Sequence, residues 1–354
     1  MVSLLKNNWK PLIGGFILSI FVIFLEFYRV PLNIAKSLKN LDFIVIALIG
    51  GAFISSCFSK EFGIKIPSKI EILKALFAGT LIGIGSSLSF GDNIGGFYTA
   101  TSNLSASGLA MFTGIIIGTL IKLKYQIWEA ERFPSKGGIN IYLRKLSIFA
   151  GLIVLLIFIC KGLGYFLDSN KENAIKGWIF ILSILAGFIF HKSKLCMAKA
   201  LREPFISGES SMTRAFTLSL FIAVLGISYL KFAKVLDPHF YILPTFMVIS
   251  LIGGILFGLG MVLADSCALS MLWKLGEGQI KLLIVGISFI LVNSVTDKCI
   301  NKVQELLEEN FVKNIFLPEY LTYKGAVFLI IGVIFVWLIF TEWSKKSKRF
   351  VIKI

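Results

Sequence analysis

The sequence predicts an all-α polytopic membrane protein with about nine to ten transmembrane helices. Three observations carry this prediction. Apolar residues make up 56% of the chain and charged residues 16%. Several apolar runs reach the length of a bilayer-spanning helix, about 20 residues. Lysine and arginine gather in alternate connecting stretches, which marks the cytoplasmic loops of a multi-pass protein.

The spans fall at roughly 10–28, 43–58, 70–90, 108–122, 146–166, 174–191, 214–231, 245–264, 279–296 and 324–342. The first follows a short polar leader and lacks a small-residue cleavage site, so it reads as a retained helix. The second and fourth are short enough to be partly re-entrant. Basic residues follow the second span (Lys60, Lys65, Lys69), the fourth (Lys124, Arg132) and the sixth (Lys192, Lys194, Lys199, Arg202), and they fill the tail. Residues 91–107 hold none. An even number of crossings puts both termini on one side, and this alternation makes that side the cytoplasmic face of the cell (plasma or inner) membrane. Arg29, Lys36 and Lys39, in the first loop, run against the pattern. The polar stretch 123–145, with Trp128, Phe133 and Tyr142 beside basic residues, reads as an interfacial segment separating two halves, 1–145 and 146–354.

The net charge of +16 is spread over separate loops. It therefore reads as a topology signal and an attraction to anionic lipid, with no nucleic-acid partner. Five cysteines without a CxxC or a Cys/His cluster fit neither a disulfide framework nor a zinc site. No nucleotide loop, haem ligand pair or catalytic triad is visible. The expectation is thus no enzyme, no cofactor and no metal.

The stretch GTLIGIGSSLSFGD, from Gly79 to Asp92, aligns without gaps on GILFGLGMVLADSC, from Gly254 to Cys267. Gly79, Gly83 and Gly85 fall on Gly254, Gly258 and Gly260, and Asp92 falls on Cys267. The two copies lie five spans apart, so they run in opposite directions. Two apolar segments that share a glycine frame and each stop at a polar break predict inverted repeats with a site at the breaks. Short re-entrant helices are expected near 91–107 and 265–277. The glycines either only let helix backbones approach or also frame a pathway. Asp92 either caps a half-helix or lines the pathway. Asn93 either hydrogen-bonds substrate or satisfies backbone at the break.

Cys196 lies in HKSKLCMAKALREPF, just after the sixth span. The segment is amphipathic and basic, which also fits a cytoplasmic surface helix. With Lys194 in place of arginine, it resembles the Ser-Arg-Phe-Cys plus Phe-Arg-Glu-Pro signature of the YeeE/YedE sulphur transport family. The run through Cys267 to Leu275-Gly276-Glu277-Gly278 resembles that family's second repeat motif. The run GDNIGGF, from Gly91, resembles its first, Gly-Cys-Asn-Ile-Gly-Gly-Phe, with Asp92 standing where the family has cysteine. The resemblance implies uptake of a reduced-sulphur anion, typically thiosulfate, past pore cysteines, with some relatives linked to selenium. Carried over by position, Cys196 and Cys267 become pathway cysteines. An ionised Asp92 would repel an anion, so this departure bears on the substrate.

A thiol is a weak, soft donor and acceptor that can touch sulphur without gripping it. Weak sequential sites favour passage of the intact anion. The alternatives are a selenium-compound transporter, or a sulphur-transfer subunit whose cysteine forms a persulfide and hands sulphur to a cytoplasmic sulphur-carrier protein. Cys57 reads as a small packing residue or a pathway exit. His191 reads as interfacial or as lining the approach to Cys196. Arg202 and Glu203 read as a local pair.

Overall fold

The computed structural model describes residues 8–132, 139–142, 146–167, 171–243, 247–306 and 315–347. A helix occupies each of the ten predicted spans. These are α1 (Pro11–Phe27), α3 (Phe43–Phe58), α4 (Lys69–Leu88), α5 (Ala106–Arg132), α6 (Leu146–Leu167), α7 (Lys171–Ser193), α9 (Ser211–Phe232), α10 (Met247–Ala264), α12 (Ile280–Leu306) and α13 (Leu317–Ser347). Three short pieces lie between them: α2 (Ile34–Lys39), α8 (Met197–Ile206) and α11 (Ala268–Gly276). A fourth is a π-helical stretch, Asn93–Thr99, continued by the turn Ala100–Ser102; we call it the first half-helix. Among the described residues, eight helices are long and apolar enough to cross a membrane, and α1 and α3 are shorter apolar helices. The chain is an all-α polytopic membrane protein.

The fourth predicted span is a full-length helix, since α5 runs on to Arg132. That helix takes the first part of the expected interfacial stretch. Strand β2 (Ile139–Tyr142) takes another part, pairing antiparallel with β1 (Gly63–Ile66). Phe133 lies outside the described residues.

The centre is built where α4 crosses α10, with α5 against α10 and α12 against α4. Glycine makes these crossings close. A Cβ on Gly85 would stand 2.5 Å from the Gly253 carbonyl oxygen of α10, and one on Gly260 would stand 2.8 Å from the Ala78 oxygen of α4. A Cβ on Gly83 would meet Val292 and Phe289 of α12, and one on Gly258 would meet Ile115 of α5. Backbones at this separation exclude any side chain, which is the small-residue packing seen between membrane helices.

Both described ends of the chain lie on one face. Trp9 N–H donates to the Lys192 carbonyl, and Ser344 Oγ donates to the Pro204 carbonyl. Glu277 marks this face, and α12 leaves it to reach Asp297, about 25 Å further along at 1.5 Å per residue.

Candidate functional site

The first half-helix and α11 each begin inside the protein, at the break that ends α4 and α10 respectively. Their starting residues, Asp92 and Cys267, are both buried N-caps. The aspartate is saturated. Its Oδ1 accepts from Ala35 N–H at 3.2 Å and Gly95 N–H at 3.3 Å, and its Oδ2 accepts from Ile94 N–H at 3.0 Å. It thus caps the first half-helix and also holds the start of α2. The thiol takes one backbone bond, with Cys267 Sγ accepting from Ser270 N–H at 3.4 Å, and also lies in hydrogen-bonding contact with the Cys196 side chain.

Asn93 joins the two breaks. Its Oδ1 accepts from Ala268 N–H at 3.1 Å, and its Nδ2 points at Met197 Sδ at 3.2 Å. Cys196 stands at the N-cap position of α8 without a capping bond, and its Sγ donates to Ser270 Oγ at 3.1 Å. The same hydroxyl accepts from Cys267 N–H at 2.8 Å. Ser270 therefore gathers both cysteines at one point. Trp273 Nε1 donates to the Leu195 carbonyl at 2.8 Å, fixing the turn that presents Cys196.

Two cavities flank this layer. On the Glu277 face a cavity of about 300 Å³ reaches Cys196, lined by Lys194, Lys199, Arg202 and Lys274 against Asp265 and Glu277. On the other face a cavity of about 420 Å³ lies over the first break, lined by Asn33, Lys36, Lys39, Phe90, Gly91 and Asp297. Asp92, Asn93, Met197 and Cys267 stand between them, each at most 2% exposed. Cations outnumber acids among the lining residues of both cavities, although Lys39 pairs with Asp297 at 2.7 Å and Lys199 with Glu203 at 3.3 Å.

Beside the first cavity, Lys194 Nζ contacts Glu61 Oε2 at 2.6 Å, Glu277 Oε1 at 2.5 Å and His191 Nε2 at 3.2 Å. The ligand atoms of Glu61, His191 and Glu277 lie within 4.8 Å of one another, a spacing that could hold a metal ion. The ammonium already stands among them as the resident cation. Burial works against a charge at Glu277, yet His191 and Lys194 hold its carboxyl down to about 2.

The structure gathers Asp92, Asn93, Cys196 and Cys267 and leaves Cys57 apart. Cys57 is buried at the end of α3, where a Cβ on Gly151 of α6 would stand 2.8 Å from its Cβ. Helix α8 is not a surface helix, for Met197, Ala198, Ala200, Leu201, Pro204 and Phe205 are all buried. Arg202 pairs with Asp265 at the end of α10, while Glu203 takes Lys199. His191 is fully buried and bonds Ser55 Oγ at 2.8 Å. Sequence reasoning missed Ser270, Met197 and α2. The lysines of α2, an exception as topology signals, are lining residues of the second cavity.

Breaks carrying a thiol and an amide, enclosed by spanning helices and flanked by two basic cavities, define a membrane transporter. A family model described as sulphur transport matches residues 4–121 and 192–352. The chain belongs to this sulphur transport family. A probable transporter YedE of Salmonella typhimurium is 24% identical over 300 residues, which is 80% of this chain and 72% of that protein. Its Escherichia coli counterpart is 23% identical with the same coverage. The thiosulfate transporter TsuA of Escherichia coli is 28% identical over 115 residues, 32% of each chain.

Proposed function

We propose that the chain is a permease that takes up a small reduced-sulphur anion, thiosulfate foremost, past Asp92, Asn93, Cys267 and Cys196. The observation that carries this reading is the meeting of two half-helix starts at Asn93, with both thiols beside it and a basic cavity on each side. The cations of each cavity draw the anion in. Asn93 and Ser270 offer neutral donors to its oxygens, and the thiols offer soft contact to its terminal sulphur. Because none of these groups is a fixed cation at the narrow layer, the anion is handed on rather than trapped. Membership of the sulphur transport family and the thiosulfate transporter among its relatives support the substrate class.

The repeats belong to this proposal. The glycines make exchanged contacts: Gly79 and Gly83 touch α12 where Gly254 and Gly258 touch α5, and Gly85 touches α10 where Gly260 touches α4. A two-fold axis in the membrane plane would swap these pairs. Helix α6 packs on α3 and α7, and α13 packs on α9 and α8. This parallel favours counting α6 with the first half, so that the halves meet at the α6–α7 connection rather than at 145/146. With the Glu277 face cytoplasmic, as its lysines favour, the Asn33 cavity opens outward.

The test is growth of a strain that depends on thiosulfate as sole sulphur source. Supplying this chain should restore growth, and no gain over the empty vector despite membrane expression would refute the reading. Uptake of selenite not displaced by thiosulfate would instead favour a selenium substrate. A persulfide on Cys196 or Cys267 after exposure to thiosulfate would favour sulphur transfer to a cytoplasmic carrier protein.

A further inference from the structure

Behind the first half-helix lies a second buried polar group that the anion pathway does not use. Glu26, in the last turn of α1, is 0% exposed. Its Oε1 accepts from Asn103 Nδ2 at 2.9 Å, and its Oε2 has no hydrogen-bond partner. Asn103 Nδ2 also donates to the Thr99 carbonyl at 3.0 Å, which fixes the orientation of the amide. Asn103 Oδ1 is left unpartnered and buried as well. Each member of this bonded pair thus keeps one buried acceptor oxygen without a donor. A buried acceptor left in this way calls for a donor that the chain itself does not supply.

Lys231, near the end of α9, is 1% exposed and is not that donor. Its ammonium donates to the carbonyls of Asn103 at 2.9 Å, Pro238 at 3.0 Å and Phe240 at 2.9 Å. Pro238 and Phe240 lie on the loop that follows α9, and the neighbouring Asp237 and His239 are exposed. The acid therefore sits one layer beneath the surface on the Asn33 face. The charged and titratable groups around it are Lys231, Asp237, Tyr241 and Asp92, with His239 and Glu319 paired above.

The comparable cluster on the opposite face is saturated, since Lys194 fills the space among Glu61, His191 and Glu277. Among the described residues, the Glu26 cluster is the one that leaves a buried acid half-paired. It also holds the half-helix that carries Asn93. The first half-helix starts at Asp92 and Asn93 and ends at Asn103, where α1 grips it through Glu26 and α9 through Lys231. The grip on Asn103 Nδ2 is a charge-assisted hydrogen bond when Glu26 is ionised and a weaker neutral one when it is protonated.

We propose that Glu26 is a proton-binding site, loaded from the Asn33 face, whose charge sets how firmly α1 holds the half-helix that carries Asn93. The step is reversible protonation of a carboxylate, with the proton carried on Oε2, the oxygen that has no hydrogen-bond partner. This inference rests on the reading of the chain as an anion permease. An anion carried toward a negative interior is opposed by the membrane potential, and a proton carried with it offsets that charge.

Infrared difference spectra of the purified full-length protein, taken over a pH titration, read the carboxylic-acid carbonyl directly. We expect a titrating acid band that disappears in Glu26→Gln. We also expect wild-type uptake to rise as external pH falls and Glu26→Gln to lose that dependence. Should Glu26→Gln fail to fold, Lys231→Met, which keeps the acid, must shift the midpoint at which the band titrates. The proposal is overturned if folded Glu26→Gln keeps the wild-type band or the wild-type pH profile. It is equally overturned if the band responds to sodium and not to pH. Wild-type protein that moves no sulphur anion would refute the permease reading alone, because the infrared result stands without transport.

Discussion

Asp92 stands where the resembling motif has cysteine, and its replacement separates its two roles. The carboxylate receives three backbone N–H groups inside the protein. Asp92→Asn keeps one oxygen, which can still serve Ala35 and Gly95, while the Ile94 N–H meets an amide that donates. One buried N–H left unpaired costs about 1–3 kcal/mol. Asp92→Ala strips all three and costs on the order of 3–9 kcal/mol before relaxation, a range that overlaps the whole stability of many domains. Asp92→Cys returns one acceptor sulphur, in the role that Cys267 Sγ already plays toward Ser270 N–H at 3.4 Å. Thermal unfolding in detergent should therefore rank the proteins wild type, Asn, Ala in falling order. Folded Asp92→Cys should retain or exceed wild-type thiosulfate uptake. Asp92→Ala as stable as wild type would refute the capping argument. Folded Asp92→Cys without uptake would show that the carboxylate has a pathway role of its own.

Further outcomes follow from other parts of the structure. Gly85→Leu places side-chain atoms where a Cβ already stands 2.5 Å from the Gly253 oxygen, so it should sharply lower the yield of monodisperse protein. Lys194→Met leaves Glu61 and Glu277 facing each other without their shared cation. It should destabilise the protein by about 1–3 kcal/mol, read as a fall in melting temperature in detergent. The Glu277 carboxyl is held at about 2 against an ordinary 4.5, so its contribution to stability is complete above pH 4.5 and fades as pH falls toward 2. The melting temperature of wild type should fall across that window more than that of Glu277→Gln, and parallel curves would contradict this.

The spans were legible because a bilayer demands long apolar runs, and each of the ten holds a helix, although α5 and α12 continue to Arg132 and Leu306, past the predicted ends at 122 and 296. The glycine frame was legible too, since close backbone approach requires glycine at a fixed spacing. The short pieces were harder to read. Helix α2 has six residues, two of them lysines, and is indistinguishable from a loop in sequence. Helix α8 looks amphipathic because Lys199 and Arg202 line the cavity on the Glu277 face while its other side is buried in the protein. The pairing of Arg202 with Asp265 was invisible, because sequence shows neighbours along the chain and Asp265 is brought near only by the packing of α10. Asn93 could be placed at its break, but not assigned the partner that makes it a junction, and Ser270 carried no signal apart from the residues around it. Glu26 lies inside the first predicted span without a motif around it, and only its missing partner marks it out.

The central claim is that a sulphur anion passes the thiols gathered at Ser270. Uptake of labelled thiosulfate into proteoliposomes, compared between wild type and Cys267→Ala, tests it most directly. Removal of the thiol leaves the Cys267 N–H bond to Ser270 Oγ in place, so the fold should survive. The account predicts uptake by wild type and none by the folded variant. Equal uptake by both would contradict it.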